Sequence, residues 1–186
     1  VSQADLYKHQ WKVVRAIAAL RSKGYDITLQ LVGGGRGRPE ALLQSELARS
    51  DPAGDYVSRA GFVPQSELPL FFDRSDIFIF ASSCENMPNT LIEGMASGLP
   101  IASSDRGPMP EVLGDSGVYF DPEDSESIAS AIERLVCDGS LRESISAKAI
   151  KRAEEFSWER CADETWAFLR DTVTILRGNE VPGPDR

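Results

Sequence analysis

Glu85 and Glu93 stand on either side of Pro88-Asn89-Thr90, in a stretch where an apolar run gives way to small polar residues. This pattern reads as strand, polar loop and helix N-terminus, and the chemistry it predicts is anion binding flanked by carboxylates. The first backbone N–H groups of a helix starting near Asn89 or Thr90 have no intrahelical acceptor, and with the helix dipole they favour a phosphate. Two carboxylates beside a phosphate repel it unless they turn aside and accept hydrogen bonds from hydroxyl groups. Sugar and ribose supply hydroxyls on either side of a diphosphate. Each charge-assisted bond of this kind is worth about 1.5–3 kcal/mol, so the pair would hold a hydroxyl-rich ligand and reject a less hydroxylated one. Thr90-x-x-Glu93 also reads as a capping box, in which Glu93 would only bond back to the Thr90 N–H.

Such residues need a rigid platform. The run Ile77-Phe78-Ile79-Phe80-Ala81 has no polar alternation, which suits a strand covered on both faces in a parallel sheet. Ligands of open α/β sheets bind at the C-terminal ends of such strands. Elsewhere, apolar spacing predicts helices over 10–23, 40–48, 65–72, 141–155 and 158–177. Asp124 or Ser125 caps a further helix running to Val136, and Pro108-Met109-Pro110-Glu111 starts a short one. Strands are expected over 27–32, 56–59, 101–103 and 117–120. Val1-Ser2 reads as the end of a strand, and the opening without Met suggests a piece of a longer protein. The alternation of strands and helices predicts an α/β fold, a single Rossmann-like domain over 1–178 with helices on both faces of a mostly parallel sheet, followed by a loose tail over 179–186. The aromatic residues of 158–177 read first as core.

With 186 residues, 41% of them hydrophobic, the chain can bury a full core. A formal charge of −9 argues against a nucleic-acid footprint or an electrostatic membrane patch. No apolar run is long enough to be a transmembrane segment. Cys84, Cys137 and Cys161 are too few and too scattered for a disulfide framework or a zinc site; their odd number suits a reducing compartment, and the cytoplasm is the expected location. Cys84, beside an anionic Glu85, is read as a small packing residue rather than a reactive thiol. His9, the only histidine, receives no catalytic role. The glycine-rich turn Gly33-Gly34-Gly35-Arg36-Gly37 lacks the third glycine of a dinucleotide fingerprint, and no Gly-Lys-Ser/Thr follows for a P-loop. It remains a loop whose backbone can approach a ligand, or a flexible turn. Arg106 would either assist a phosphate or pair with its neighbour Asp105.

Glu85-x7-Glu93 within SCENMPNTLIEGMASGLPI, followed by GPMPEVLGDSGVYFDPED, resembles the C-terminal, donor-binding domain of the family-4 retaining glycosyltransferases of GT-B fold. The resemblance runs from Lys8 to about Trp158. It implies that Glu85 sits by the donor sugar, that Glu93 holds the ribose, and that Asn89, Thr90 and Leu91 offer helix amides to the diphosphate. The family supplies an Arg-x4-Lys pair to the phosphates; here Gln3 stands at the arginine position and Lys8 at the lysine, which leaves Lys8 with more of the neutralisation. Gly33 and Gly34 would lie near the donor, and the Phe62-Val63 turn against the nucleotide base. Lys8 and Glu85 are the expected catalytic residues, with no cofactor and no metal, since no Asp-x-Asp occurs.

The resemblance further implies a nucleotide-sugar as donor. The acceptor, a glycan, a lipid or a small molecule, would bind through an N-terminal domain absent from this chain. Such enzymes build cell-surface polysaccharides or other glycans in the cytoplasm or at its membrane periphery. The chain alone is expected to bind donor but transfer sugar poorly. In two-domain enzymes of this fold the last helix often crosses back to the N-terminal half, so the resemblance also allows an exposed apolar stripe over 158–177. Two competing readings are a sugar-nucleotide epimerase of the same fold and a non-catalytic interaction module derived from it, the latter hinted at only by Gln3. The sequence does not separate UDP, GDP and ADP donors, because backbone atoms would read the base.

Overall fold

The unalternating run at 77–81 becomes β3 (Phe78–Phe80), with both phenylalanines buried and Ile79 half-buried. It pairs in parallel with β4 (Ile101–Ser104), buried at every position, and β4 pairs in parallel with β5 (Val118–Phe120). Upstream, β1 (Leu29–Val32) and β2 (Val57–Ala60) form a second parallel pair, with Leu29 opposite Val57. These relations come from a computed structural model, which describes residues 1–178. The chain divides into two compact units, Val1–Ala153 and Glu154–Arg186, and all the strands among the described residues lie in the first. The tail expected over 179–186 lies outside the described residues.

Helices cover the strands as their apolar spacing requires. α1 (Gln10–Ser22) buries Val13, Val14, Ile17 and Leu20 along one face, the i, i+3, i+4, i+7 stripe of an amphipathic helix. It ends at Gly24, whose φ of 95° needs a residue without Cβ. α6 (Ser125–Cys137) buries Ile128, Ile132 and Leu135 in the same core, and Asp124 caps it by accepting the Glu126 N–H at 2.9 Å. Between them come α2 (Gly37–Ser50), α3 (Leu68–Phe72), α4 (Asn89–Ala96) and α5 (Met109–Leu113), and α7 (Gly139–Ala153) follows.

Two boundaries differ from expectation for identifiable reasons. α2 starts three residues early, because Arg36 is extended at the N-cap and Pro39, which has no N–H, falls in the first turn where none is needed. The helix expected over 65–72 is a 3-10 turn, Gln65–Glu67, followed by α3, with Pro69 in the first α-helical turn.

The second unit holds α8 (Trp158–Gly178). Its Trp158, Trp166 and Phe168 are 81%, 71% and 69% exposed, which corrects the reading of these aromatics as core. The described residues of this unit form one helix and offer no second layer to bury them. No described helix is long and apolar enough to cross a membrane.

α1 and α2 are also joined by charge. Glu46 on α2 is 5% exposed and accepts from Arg15 at 2.7 Å, from Ser50 at 2.7 Å and from Arg49. Burial alone would push its carboxyl up, but these hydrogen bonds outweigh it and bring the pKa from 4.5 down to about 2. A depressed carboxyl contributes stability above its unfolded pKa and loses it as pH falls toward the folded one. Glu46→Gln should therefore cost on the order of 2 kcal/mol at pH 7, allowing for its exposed arginine partners, and progressively less below pH ~4. Urea titrations at both pH values check this; an equal loss at both would contradict it.

β1 and β3 do not pair with each other. A cavity of about 360 Å³ is lined by Leu29 and Leu31 of β1, Phe78 and Phe80 of β3, and Val1. The Ser2 N–H donates to Val32 O at 2.8 Å and the Ala4 N–H to Gly34 O at 2.7 Å, a parallel ladder just past the end of β1. Continued upstream, the ladder would run along the free edge of β1 toward β3. Extending the chain before Val1 by roughly five Val, Ile and Thr residues, the usual length of a strand, is expected to raise Tm by several degrees. An extension of equal length with central prolines should not, and equal effects of the two would refute the geometry.

Candidate functional site

The site is placed by the seat of α4 on β3. A Cβ at Gly94 would fall 2.6 Å from Cδ1 of Phe78, so only glycine lets the helix come this close. Leu91 and Met95 are fully buried beneath it. The N-terminus of α4 is thereby brought to the C-terminal side of β3, after a loop that contains Glu85.

Lys8 closes a 3-10 turn (Leu6–Lys8), and its Nζ forms an ion pair with Oε1 of Glu85, 77 positions away. The two side chains are 17% and 16% exposed. The Lys8 ammonium also lies 5.2 Å from the ring centroid of Tyr7 and 5.7 Å from that of Phe80, within the range of a cation–π attraction. An ammonium has three donors and a carboxylate two acceptor oxygens, so the pair keeps capacity for a ligand. The two residues expected to be catalytic are thus in direct contact.

The start of α4 is less open than its sequence suggests. Its N-cap, Pro88, supplies no side-chain cap. The Asn89 N–H donates to Met87 O at 3.0 Å and the Leu91 N–H to Pro88 O at 2.9 Å. Of the three amides expected to meet a diphosphate, Thr90 alone has no acceptor among the described residues. The tight turn at Pro88 takes up the other two, and the Leu91 side chain belongs to the core. Glu93 does not form the capping box. Its Oε1 accepts from Nε2 of Gln65 at 3.1 Å, which ties α4 to the 3-10 turn after Pro64. No pattern in the sequence singles out Gln65, because its partner lies on another element.

The remaining candidates gather at a second place. Gln3, Gly33, Gly34, Phe62 and Val63 line a cavity of about 440 Å³, together with Arg36. Phe62 is 89% exposed. A Cβ at Gly34 would meet open space, whereas at Gly33, with φ 120°, it would collide with the Ser2 carbonyl. Gly33 is therefore glycine so that the N-terminal segment can pack, independently of any ligand. Arg36 has no special place in the sequence reading, yet it brings a cation to this wall. Arg106 pairs with Asp121 at 2.9 Å and Asp105 at 3.3 Å, the local alternative to a phosphate role. Cys84 is a free, exposed thiol, which corrects its reading as a packing residue: the loop after β3 turns it outward.

A family model described as Glycosyl transferases group 1 matches residues 3–138. The chain belongs to this family. It is 31% identical over 135 residues to the O-antigen chain mannosyltransferase B of Escherichia coli, covering 73% of this chain and 35% of that protein. The chain spans well under half the length of the curated relatives it matches. Sucrose-phosphate synthase of Thermosynechococcus elongatus superposes with a TM-score of 0.80 at 23% identity, over 94% of this chain and 45% of that one. Anabaena HepE, solved in complex with UDP, superposes with a TM-score of 0.79 at 19% identity, over 91% of this chain and 48% of that one. The α/β architecture, with parallel sheets flanked by helices, is that of the GT-B glycosyltransferases, as the sequence motifs implied.

The Lys8–Glu85 contact makes a stability prediction. Removing one member leaves the other half-buried without its partner, so Lys8→Met and Glu85→Gln should each cost about 1–3 kcal/mol. The double variant should recover part of that loss. Urea unfolding in a double-mutant cycle measures the coupling, and strict additivity would mean that the pair does not form.

Proposed function

We propose that the chain is the donor-binding half of a retaining glycosyltransferase that moves a sugar from a nucleotide-sugar to an acceptor hydroxyl. The observation that carries the reading is the Lys8–Glu85 contact at the end of β3, which joins the two residues assigned to phosphate and sugar. In this reading the nucleotide lies against the Phe62-Val63 turn and over Gly34, with Gln3 and Arg36 on the same wall. Glu93, steadied by Gln65, accepts hydrogen bonds from the ribose hydroxyls. Glu85 takes those of the donor sugar.

As the bond between the anomeric carbon and the diphosphate breaks, negative charge grows on the leaving oxygen. The free donors of Lys8 and the Thr90 N–H meet that charge. Groups already oriented toward developing charge stabilise a transition state without reorganisation cost. Arg36 supplies the second cation that Gln3 does not. The reading invokes no cofactor or metal. The acceptor would bind a second domain of the whole protein. A role in assembling a glycan chain fits the Escherichia coli relative, whose name is that of an O-antigen chain mannosyltransferase. UDP is the first nucleotide to try, because HepE was solved with it.

Calorimetric titration with UDP, GDP, ADP and their sugar conjugates tests the proposal. One nucleotide should bind selectively, and Glu93→Ala and Lys8→Ala should each weaken it about tenfold, the loss of one charge-assisted hydrogen bond. Binding unchanged in both variants, or none at millimolar nucleotide, would overturn the reading.

A further inference from the structure

The Lys8 turn and the Glu85 loop meet at more than their ion pair. The Ser83 N–H donates to Tyr7 O at 2.8 Å, and Ser83 Oγ lies 2.8 Å from His9 Nε2 and 3.4 Å from Tyr7 O. Tyr7 and His9 are the two chain neighbours of Lys8, and Ser83 precedes Glu85 by two residues. Uncharged bonds therefore bracket the charged pair between the same two segments.

His9 is built against local preference. With φ 48° and ψ 28°, it is the only non-glycine residue at positive φ among the described residues. That conformation turns the chain from the 3-10 turn directly into α1. A Cβ is disfavoured there, though histidine tolerates it better than most residues, and glycine would make the turn freely. Glycine would lack the ring, which is buried, lies 5.7 Å from the Trp11 ring centroid and reaches Ser83. Burial holds the imidazole below its ordinary pKa, with Lys12 adding to this and Glu123 and Asp121 opposing it. At neutral pH the ring therefore brings no charge to compete with Lys8 for Glu85.

We infer that His9 is a positioning residue for the donor site: through Ser83 it clasps the Lys8 turn to the Glu85 loop, so that the ammonium and carboxylate are already in place when a nucleoside diphosphate sugar arrives. The inference rests on the donor-site reading. It accounts for a strained histidine where an unstrained glycine would serve the turn alone.

Three variants separate the clasp from the turn. His9→Gly keeps the turn and loses the ring, Ser83→Ala removes the clasp from the other side, and His9→Gln keeps a polar group within reach of Ser83. Hydrogen exchange at the Ser83 amide, followed by NMR without ligand, should quicken about tenfold in His9→Gly and stay slow in His9→Gln. UDP, GDP and ADP affinity, measured well below the unfolding midpoint, should weaken about tenfold in His9→Gly and in Ser83→Ala, as expected for lost preorganisation. The double variant should be no weaker than either single one, and His9→Gln should restore binding. Unchanged Ser83 exchange in His9→Gly would overturn the clasp. Faster exchange with unchanged affinity would overturn the positioning role and leave only a structural one. Absence of binding by the unaltered chain would instead overturn the donor-site reading, and the ligand-free exchange measurement tells the two failures apart.

Discussion

Contact between the backbone of Gly94 and the ring of Phe78 sets how far α4 stands from β3, and the geometry of the candidate site follows from that spacing. A side chain at this position would lift the helix and carry Thr90 and Glu93 away from the strand end. Glycine inside a helix is disfavoured by roughly 0.5–1 kcal/mol relative to alanine. Burial of Leu91 and Met95 on the same helix offsets that cost, since each fully buried side chain of this size contributes about 1.5–3 kcal/mol. The helix is held by its apolar underside, and its N-terminal turn faces the loop of Glu85.

Charge is distributed unevenly around that frame. The chain is strongly acidic overall, yet the cations near the candidate site are each set in a particular environment. Lys8 is held between a carboxylate and two aromatic rings, and Arg36 stands on a cavity wall. Arg106, closer in sequence to the central motif, is neutralised by two aspartates. Glu46 shows the structural use of the same chemistry: a buried carboxylate surrounded by donors, fastening α2 to α1. The Lys8–Glu85 pair differs because both partners retain exposure and unused hydrogen-bonding capacity.

The N-terminal segment links the two halves of the site. Its ladder with Val32 and Gly34 brings Gln3 beside Gly33 and Gly34, and the following turn delivers Lys8 to Glu85. His9 reverses the chain so that α1 can begin at once, which keeps Lys8 at the end of a short, well-anchored lever. The positive φ at Gly33 serves the same packing, because the Ser2 carbonyl occupies the space a side chain would need.

Local physics was legible in the residues. Apolar spacing located α1 and α6 within a residue or so, Asp124 marked the start of α6, and the unalternating run at 77–81 announced a strand covered on both faces. The Glu85-x7-Glu93 motif pointed to the family because its loop and helix start are contiguous in the chain. The first reading of the α8 aromatics as core failed, and the exposed stripe that the resemblance allowed is what α8 shows, because periodicity reports an apolar face without saying whether anything covers it. Tertiary structure alone decided that Lys8 meets Glu85 and that Gln65 rather than the Thr90 amide holds Glu93. The physical reason is the range of the forces involved: helix and strand patterns arise from neighbours a few residues apart, whereas these contacts join segments 28 to 77 positions apart and exist only once the core has set the distances between them.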